Sequence, residues 1–260
     1  TGNNGILNRT ALINRISTVC GIELNGSLNI NLESPNDFQI RSSLTSKYVK
    51  LWKTVDTCSM YENETIAIII SYRDRAFNKG RLYNIAFYHL MKTYKPTCVI
   101  FHDVDLIPEN DQNLYSCLTL TDHPLHMSAN VRFQIDGSYT TIYPFLVGGV
   151  LTIRPETFIL LNGYSNKYFN WGGEDDDMGL RFLSKDICVQ RPTTGYYYAG
   201  SHSSQTRNKN RFKLLFDAAL RQDIDGLSNI AQLSRITSTY EYPLVTWLTG
   251  KWIDTYSSMS

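Results

Sequence analysis

A strand, a helix and a second strand follow one another over residues 65–105, and this order constrains the fold more than any other feature. Residues 65–71, with the sequence TIAIIIS, form the short, apolar, β-branched run typical of a buried strand. Apolar residues recur at helical spacing over 79–95, and Pro96 follows that segment. Residues 97–101 form a second apolar run. This succession predicts a right-handed parallel unit within an α/β sheet.

Shorter segments extend the α/β pattern towards the C-terminus. We predict a third strand over 147–153 and three further helices, over 155–161, 175–183 and 212–220. The first turn of the second of these helices is acidic, which suits the positive end of a helix dipole. Residues 1–65 are polar and mixed, and we interpret them as an N-terminal extension that packs on a single domain of residues 66–260.

The overall composition indicates a globular protein and excludes two classes of function. The 260 residues are 42% hydrophobic and 19% charged, which is enough for one large core. The formal net charge of +1 argues against a nucleic-acid partner. No apolar run approaches the roughly 18–20 residues that span a bilayer. No signal peptide is visible at Thr1, so we expect a soluble piece of a longer precursor.

Cysteines and glycosylation sequons indicate the compartment. The sequons lie at Asn8, Asn25 and Asn63, all in the first quarter of the chain, which favours a secretory route, although unused sequons also arise by chance. None of the five cysteines forms a C-x-x-C pair, so a zinc or redox site is disfavoured. In an oxidising compartment four of them could pair and one would remain free.

The first motif with a chemical meaning is HDVD at 102–105, directly after the strand that ends at Phe101. Ligands of open α/β sheets bind at the carboxyl ends of strands. In an extended chain Asp103 and Asp105 would project to one side, where two carboxylates suit a divalent cation that bridges to a diphosphate. A helix cap or an ordinary turn is the alternative, because Asp-x-Asp is common.

The second motif is WGGEDDD at 171–177. Four consecutive carboxylates repel one another, and a solvated acidic turn would account for them. The aromatic residues around Trp171, namely Tyr164, Tyr168 and Phe169, favour a sugar site instead, because flat rings pack on the apolar faces of sugars. A carboxylate beside such rings could accept a proton from a sugar hydroxyl. His202, in a polar loop, is a third candidate, although a lone histidine is more often structural.

Taken together, these motifs resemble the β-1,4-galactosyltransferase family from about Ile66 to the C-terminus. The resemblance rests on IIISYRDR at 68–75, FN at 77–78, FHDVDLIP at 101–108 with ND at 110–111, GGV at 148–150, and WGGEDDD at 171–177. It implies an α/β GT-A fold, with a Rossmann-like mixed sheet flanked by helices, as the catalytic domain over 66–260. It also implies inverting, Mn²⁺-dependent transfer of GalNAc or Gal from UDP-GalNAc or UDP-Gal to a GlcNAc-terminated glycan acceptor. The implied location is the Golgi lumen, with the membrane anchor outside this segment.

The resemblance also assigns roles to individual residues. Asp175 matches the general base, beside Glu174, and Asp105 and His202 match the metal ligands. The implied donor-binding residues are Ser71, Arg73, Arg75, Phe77, Lys79, Asp103, Val104, Asp105, Leu146, Gly149 and Trp171. The implied acceptor-binding residues are Tyr143, Trp171, Gly173, Glu174, Asp175, Asp176, Arg211 and Phe212. The implied disulfides are Cys20–Cys58 and Cys98–Cys117, which leaves Cys188 free.

The sequence departs from the family at two single positions. Leu146 stands where the family has a tyrosine, two residues before the Gly-Gly pair. A leucine there is similar to invertebrate members that prefer UDP-GalNAc, so we predict GalNAc transfer over Gal transfer. Ala199 stands three residues before His202, where the family usually has Met or His. We therefore predict weaker metal binding, or a substitute ligand.

A third departure is a shortened segment. The family carries a further helix and strand between the motif that ends at Arg75 and the motif that begins at Phe77, where this chain has Ala76 alone. A real deletion would remove a sheet strand near the donor, whereas a gene-model artefact would not. The alternative to an active transferase is therefore a weak or inactive homologue that binds a sugar or a partner. A lectin has little support, and although paired carboxylates also suit a glycosidase, Arg73 and Arg75 fit a nucleotide donor better.

Overall fold

The computed structural model describes residues 65–71, 77–110, 112–117, 120, 123–133, 138–200, 206–241 and 246–253. Several sequence predictions fall outside these residues. They concern residues 1–64, the sequons at Asn8, Asn25 and Asn63, Cys20 and Cys58, the arginines Arg73 and Arg75, and His202.

The first sheet carries the predicted strand–helix–strand unit. Its four strands lie in the order β1 (Ile66–Ser71), β2 (Cys98–Asp103), β7 (Leu151–Ile153) and β4 (Leu125–His126). Strands β1 and β2 are parallel and joined through helix α1 (Lys79–Thr93), which confirms the predicted unit. Strand β7 pairs antiparallel with β2 and is shorter than the predicted 147–153.

Helix α1 begins and ends where its sequence provides caps. The side chain of Asn78 accepts a hydrogen bond from the Arg81 amide (2.9 Å), and the Tyr94 amide donates to the Leu90 carbonyl. Its buried face presents Tyr83 and Phe87 to an aromatic core. That core is completed by rings from β2, helix α2 (Pro155–Leu160) and the segment after it, namely Phe101, Phe158 and Tyr164. Truncating any of these rings to alanine would cost about 3–5 kcal/mol, so this core fixes α1 against the sheet.

A second sheet of four strands was not predicted from the sequence. It contains, in spatial order, β3 (Leu106–Pro108), β8 (Tyr196–Ala199), β5 (Asn130–Phe133) and β6 (Tyr139–Thr141). Its strands are three or four residues long, too short for a clear alternation of apolar and polar residues. A second apolar cluster contains residues of both sheets, including Ile100 of β2 and Tyr197 of β8.

The disulfides agree only in part with expectation. Cys98 and Cys117 are bonded, with a Cα–Cα distance of 5.6 Å, as predicted. Cys188, expected to be free, is also disulfide-bonded. The predicted Cys20–Cys58 pair lies outside the described residues, whereas the prediction of a free Cys188 is wrong. The error is understandable, because spacing along a sequence does not determine disulfide connectivity.

The remaining helices follow the predicted pattern with one exception. Helices α2 and α3 (Glu174–Ser184) match their predictions within one residue at each end. The helix predicted over 212–220 is instead two short helices, α4 (Arg211–Phe216) and α5 (Ala218–Arg221), because Asp217 between them leaves helical geometry. Helix α6 (Leu227–Leu233) and the hairpin of β9 (Ser234–Glu241) and β10 (Thr246–Trp252) complete the described fold. Within the described ranges, every helix is too short or too polar to cross a bilayer.

Candidate active site

A buried lysine lies between the carboxyl end of β2 and the N-terminus of α3. Lys79 Nζ lies 2.8 Å from Asp175 Oδ1, 3.3 Å from Glu174 Oε1 and 3.4 Å from Asp103 Oδ2. Burial alone would lower the pKa of Lys79, but the three carboxylates raise it well above its ordinary value, so the ammonium stays protonated. The two acidic motifs of the sequence therefore meet around one cation.

Two glycines allow this close approach. A Cβ atom at Gly148 would lie 2.7 Å from Asp175 Oδ2, and a Cβ at Gly149 would lie 2.6 Å from the Asp103 amide nitrogen and 2.7 Å from its Cγ. Any larger side chain would therefore displace one of the two acids. The backbone of residues 148–149 forms the floor that keeps Asp103 and Asp175 in the same cleft.

Asp175 has the electrostatic environment of a proton acceptor. It is the second residue of α3. Burial raises the pKa of Asp175 well above its ordinary value; Lys79 opposes this effect, and Glu174 and Asp103 add to it. A carboxyl group with a raised pKa is a stronger base once ionised. Beside it, Glu174 Oε2 is buried and has no hydrogen-bond partner among the described residues, which leaves an acceptor atom for a ligand hydroxyl.

Asp103 is held by the protein itself. Its Oδ1 accepts a hydrogen bond from the Tyr83 hydroxyl (2.9 Å), its Oδ2 contacts Lys79, and buried Ser71 lies opposite it in the β1–β2 register. The chain turns at residues 104–105, so the extended chain from which we expected Asp103 and Asp105 to project to one side is not present. Val104, in this turn, is exposed.

Asp105 lies at the junction of the two sheets. Its carbonyl accepts a hydrogen bond from the Gly200 amide (2.7 Å), at the end of β8, two positions before His202 in the sequence. Within the described ranges, no group of three or more His, Cys, Asp or Glu side chains is placed to hold a metal ion. Ala199, buried at the end of β8, contributes only a methyl group. The carboxylate oxygens of Asp105 suit Mn²⁺, which prefers oxygen ligands.

The expected sugar platform differs from the prediction. Tyr164 and Tyr168 are buried, because Tyr164 belongs to the aromatic core and the Tyr168 hydroxyl donates to Asp177 (3.0 Å). Phe169 lies against the guanidinium of Arg81. Trp171, in contrast, is 49% exposed and is therefore the most exposed member of that aromatic group.

Trp171 is tied to the segment that leads to α4. Its amide donates to the Thr206 carbonyl (3.0 Å), and the guanidinium of Arg207 lies 5.6 Å from the centre of its ring. Arg211 packs over Gly172 and Gly173, whose added Cβ atoms would lie within 3.3 Å of the Arg211 side chain.

The other expected residues lie around this cleft at varying distances from its centre. Phe212 is 69% exposed, with its ring 4.4 Å from the Arg211 guanidinium. The Tyr143 hydroxyl donates to Asp176 Oδ1 (2.6 Å), and burial raises the pKa of Asp176. The Phe77 carbonyl accepts from the Asn170 amide, next to Trp171. Leu146 is half-buried and precedes the two glycines.

A buried ionic network behind α3 was not predicted from the sequence. Asp177 accepts from Arg181 Nε (2.7 Å) through one oxygen and from Arg221 (2.5 Å) and Tyr168 through the other. Arg221 also bonds Asp225. The spacing of Asp177 and Arg181 at i and i+4 was the only available signal, and it does not distinguish a buried pair from a surface pair.

Two family models match the chain. The first, described as the N-terminal region of glycosyl transferase group 7, matches residues 65–118, and the second, described as the N-terminal domain of galactosyltransferase, matches residues 129–203. Among curated relatives, β-1,4-galactosyltransferase 4 of Cricetulus griseus is 36% identical over 189 residues, which cover 71% of this chain and 53% of the relative. The human β-1,4-galactosyltransferase 4 is 35% identical over 184 residues, which cover 69% and 51%. The chain thus spans about half the length of the curated relatives it matches.

Two solved structures share the fold. The catalytic domain of Drosophila β1,4-galactosyltransferase 7 with xylobiose has a TM-score of 0.59 at 23% identity, covering 75% of this chain and 97% of that one. A mutant of the same enzyme with manganese, UDP-Gal and xylobiose also has a TM-score of 0.59 at 23% identity, covering 86% and 93%. The GT-A fold that the sequence predicted is therefore confirmed. From the family models and the curated relatives we conclude that this chain belongs to the β-1,4-galactosyltransferase family.

Proposed function

We propose that this chain is the catalytic domain of an inverting β-1,4-glycosyltransferase that moves GalNAc or Gal from a UDP-sugar to a terminal β-GlcNAc. The observation that carries the proposal is the Lys79 cluster, in which the Lys79 ammonium contacts both Asp103, at the carboxyl end of β2, and Asp175, in the first turn of α3. A transferase of this kind needs a donor and an acceptor hydroxyl side by side, with a base at the junction.

Asp175 acts as the general base. It removes the proton from the 4-hydroxyl of the acceptor as that oxygen attacks the anomeric carbon of the donor, on the face opposite the departing UDP. Its raised pKa matches the task, because a base is most effective when its pKa approaches the working pH. Glu174 Oε2 accepts a hydrogen bond from a second acceptor hydroxyl, and Asp176 is oriented by Tyr143.

Asp105 and His202 hold Mn²⁺ in this proposal. When bound, the ion supplies positive charge that neutralises the diphosphate of the leaving group. The Drosophila structure solved with manganese and UDP-Gal supports both the ion and the class of donor. Arg73 and Arg75 bind the UDP moiety, for which the planar guanidinium is suited. Because Ala199 supplies no ligand atom, we expect Mn²⁺ to bind more weakly here than in relatives with a third side-chain ligand.

Trp171 closes over the reacting sugars. Its ring is exposed and is linked to the segment before α4, so Trp171, Arg211 and Phe212 lie on connected pieces of chain. Closure of such a loop excludes water, which would otherwise hydrolyse the donor. The Golgi lumen is the proposed location, in line with the sequons and the resemblance.

Leu146 selects UDP-GalNAc over UDP-Gal. It removes the hydroxyl that the family's tyrosine places near the 2-position of the donor sugar and leaves apolar room for an N-acetyl methyl. Leu146→Tyr should shift the ratio of the kcat/KM values, UDP-GalNAc over UDP-Gal, by about 10-fold or more towards Gal. Assaying both donors on one acceptor measures this ratio, and an unchanged ratio would overturn the assignment.

One assay matrix tests the proposed function as a whole. UDP-Gal, UDP-GalNAc and UDP-GlcNAc are each incubated with free GlcNAc, with Mn²⁺ or with a chelator, and the disaccharide is identified by its linkage. The proposal expects a β-1,4 product that requires Mn²⁺. If every combination gave neither transfer nor donor hydrolysis, the chain would be a homologue that binds a sugar or partner without catalysis.

A further inference from the structure

Three polar side chains form a continuous chain of hydrogen bonds behind the two glycines; His126 and Ser128 are buried, and Arg191 is half-buried. Arg191 Nε lies 3.3 Å from His126 Nδ1, and His126 Nε2 lies 3.1 Å from Ser128 Oγ. Ser128 Oγ lies 2.7 Å from the Gly149 carbonyl oxygen and 3.0 Å from the Val150 amide nitrogen. None of these three side chains was singled out by the sequence analysis.

The chemistry of the groups fixes the direction of each bond. Arg191 can only donate, because it remains protonated even though burial lowers its pKa to about 10. His126 Nδ1 therefore accepts, and its proton lies on Nε2, which donates to Ser128. Burial lowers the pKa of His126 well below its ordinary value, which agrees with a neutral ring. The Ser128 hydroxyl accepts from His126 and from the Val150 amide and donates to the Gly149 carbonyl.

The same arginine also bonds the start of the segment that contains the two glycines. Arg191 Nη2 donates to the Leu146 carbonyl at 2.7 Å. Residues 146–150 are thus bonded at their start through Leu146 and at their end through Gly149 and Val150. This five-residue segment carries the residue proposed to select the donor and both glycines that face the acids.

We propose that Arg191, His126 and Ser128 are positioning residues that hold residues 146–150 in the geometry that the donor pocket requires. The inference rests on the proposed function where it is tested by enzyme activity. Where it is tested by hydrogen exchange, it rests on the hydrogen-bond geometry alone. No other side chain bonds the Gly149 carbonyl or the Val150 amide among the described contacts. Loss of the Ser128 hydroxyl would leave two buried backbone groups without partners, and the segment would have to move to satisfy them.

Ser128→Ala is the variant that tests the proposal. We expect kcat/KM to fall about 10-fold, because small displacements of positioned groups have effects of this size or larger. We also expect the donor preference, UDP-GalNAc over UDP-Gal, to change by about threefold or more, because the segment that carries Leu146 is released at one end. Ser128→Thr, which keeps a hydroxyl, should restore most of the donor preference.

Two measurements separate positioning from simple loss of stability. Kinetics are recorded well below the melting temperature, and amide hydrogen exchange of a peptide covering 146–152 is followed by mass spectrometry. Exchange should be faster in Ser128→Ala, because the Val150 amide loses its partner. Thr152→Val is the matched control, since it removes a buried hydroxyl that contacts Met127 Sδ (3.1 Å) and lies outside this chain of bonds. It should leave both the donor preference and the exchange rate unchanged.

The outcomes distinguish this inference from the proposed function. If the wild type transfers sugar and Ser128→Ala does so with the same kcat/KM and donor preference, the positioning role is overturned. If the wild type transfers nothing from any donor, the proposed function fails, and the exchange experiment alone decides. Unchanged exchange over 146–152 in Ser128→Ala would then overturn the positioning role.

Discussion

The two sides of the cleft differ in the buried contacts that stabilise them. The base side, which we define as α3 and the residues packed behind it, rests on buried ion pairs from Asp177 to Arg181 and Arg221. The strand side, which we define as β1 and its pairing with β2, lies at the edge of the first sheet. Within the described sheets, β1 pairs only with β2. Two β1 side chains, Ile68 and Ile70, are 44% and 56% exposed.

This difference coincides with where the sequence departs from its family. The resemblance predicts a further helix and strand after Arg75, close to the end of β1, whereas the base side retains its whole acidic motif. The Lys79 cluster is nevertheless complete, because Lys79 belongs to α1, which packs against the aromatic core. The acids therefore stay together through the core that α1 and β2 share, although β1 is the outermost described strand of its sheet.

The largest expected effect is that of Asp175→Asn on activity. Asparagine keeps the shape of the side chain but cannot accept the proton, so kcat should fall by about 10²–10⁴-fold. In the wild type, activity should fall on acidification at a higher pH than the ordinary aspartate pKa, because the pKa of Asp175 is raised and the base must be ionised. A pH–rate profile of both proteins measures this. Retention of more than about a tenth of wild-type kcat would assign the base to another group.

The same variant should not be less stable. A carboxyl group whose pKa is raised on folding stabilises the fold at low pH, and this contribution is lost as pH rises through the raised pKa. Removing the buried charge at neutral pH should therefore leave the melting temperature of Asp175→Asn unchanged or higher. A marked drop would mean that the Lys79–Asp175 contact stabilises the fold more than burial of the carboxylate destabilises it.

Much of the first sheet could be predicted from sequence because its signals are local. The apolar run of β1, the helical spacing of α1 with its Asn78 cap, and the acidic start of α3 are each contained within a few turns of chain. The second sheet could not be predicted, because its strands are too short to show a period and are defined by pairing with distant residues. The split of 211–221 into two helices likewise depends on a single residue, Asp217.

The site was predictable at the level of motifs but not of contacts. Asp103 and Asp175 were singled out as acids with separate duties, yet nothing in the sequence shows that Lys79 contacts both. The resemblance already separated Trp171 from its aromatic neighbours, and the structure adds that Trp171 is exposed whereas Tyr164 and Tyr168 are buried. Likewise, the bonds of Ser128 to the backbone of 149–150 join segments about 20 residues apart, and such contacts leave no periodic trace.

The next largest effect is that of Asp177→Asn on stability, two residues along the same helix. It would leave Arg181 and Arg221 buried without their shared charge, and breaking such a pair costs about 3–5 kcal/mol in the free energy of unfolding. Denaturant titration measures the change. Asp223→Asn is the control, because Asp223 is 78% exposed and its contact with Lys185 is a surface ion pair worth less than about 1 kcal/mol. Equal losses in the free energy of unfolding would show that the Asp177 ion pairs stabilise the base side no more than a surface ion pair does.

The smallest effect is expected on the strand side, where the same substitution is compared at two positions. Ile68 of β1 and Ile100 of β2 lie directly opposite each other in the parallel register, but Ile100 is fully buried. Ile100→Val should cost about 0.5–1.5 kcal/mol, because it removes a packed methylene from the core. Ile68→Val should cost less than about 0.5 kcal/mol, because that side chain is partly in solvent. Equal costs in denaturant titrations would show that the outer face of β1 is as well packed as the core, and the contrast between the two sides of the cleft would then be lost.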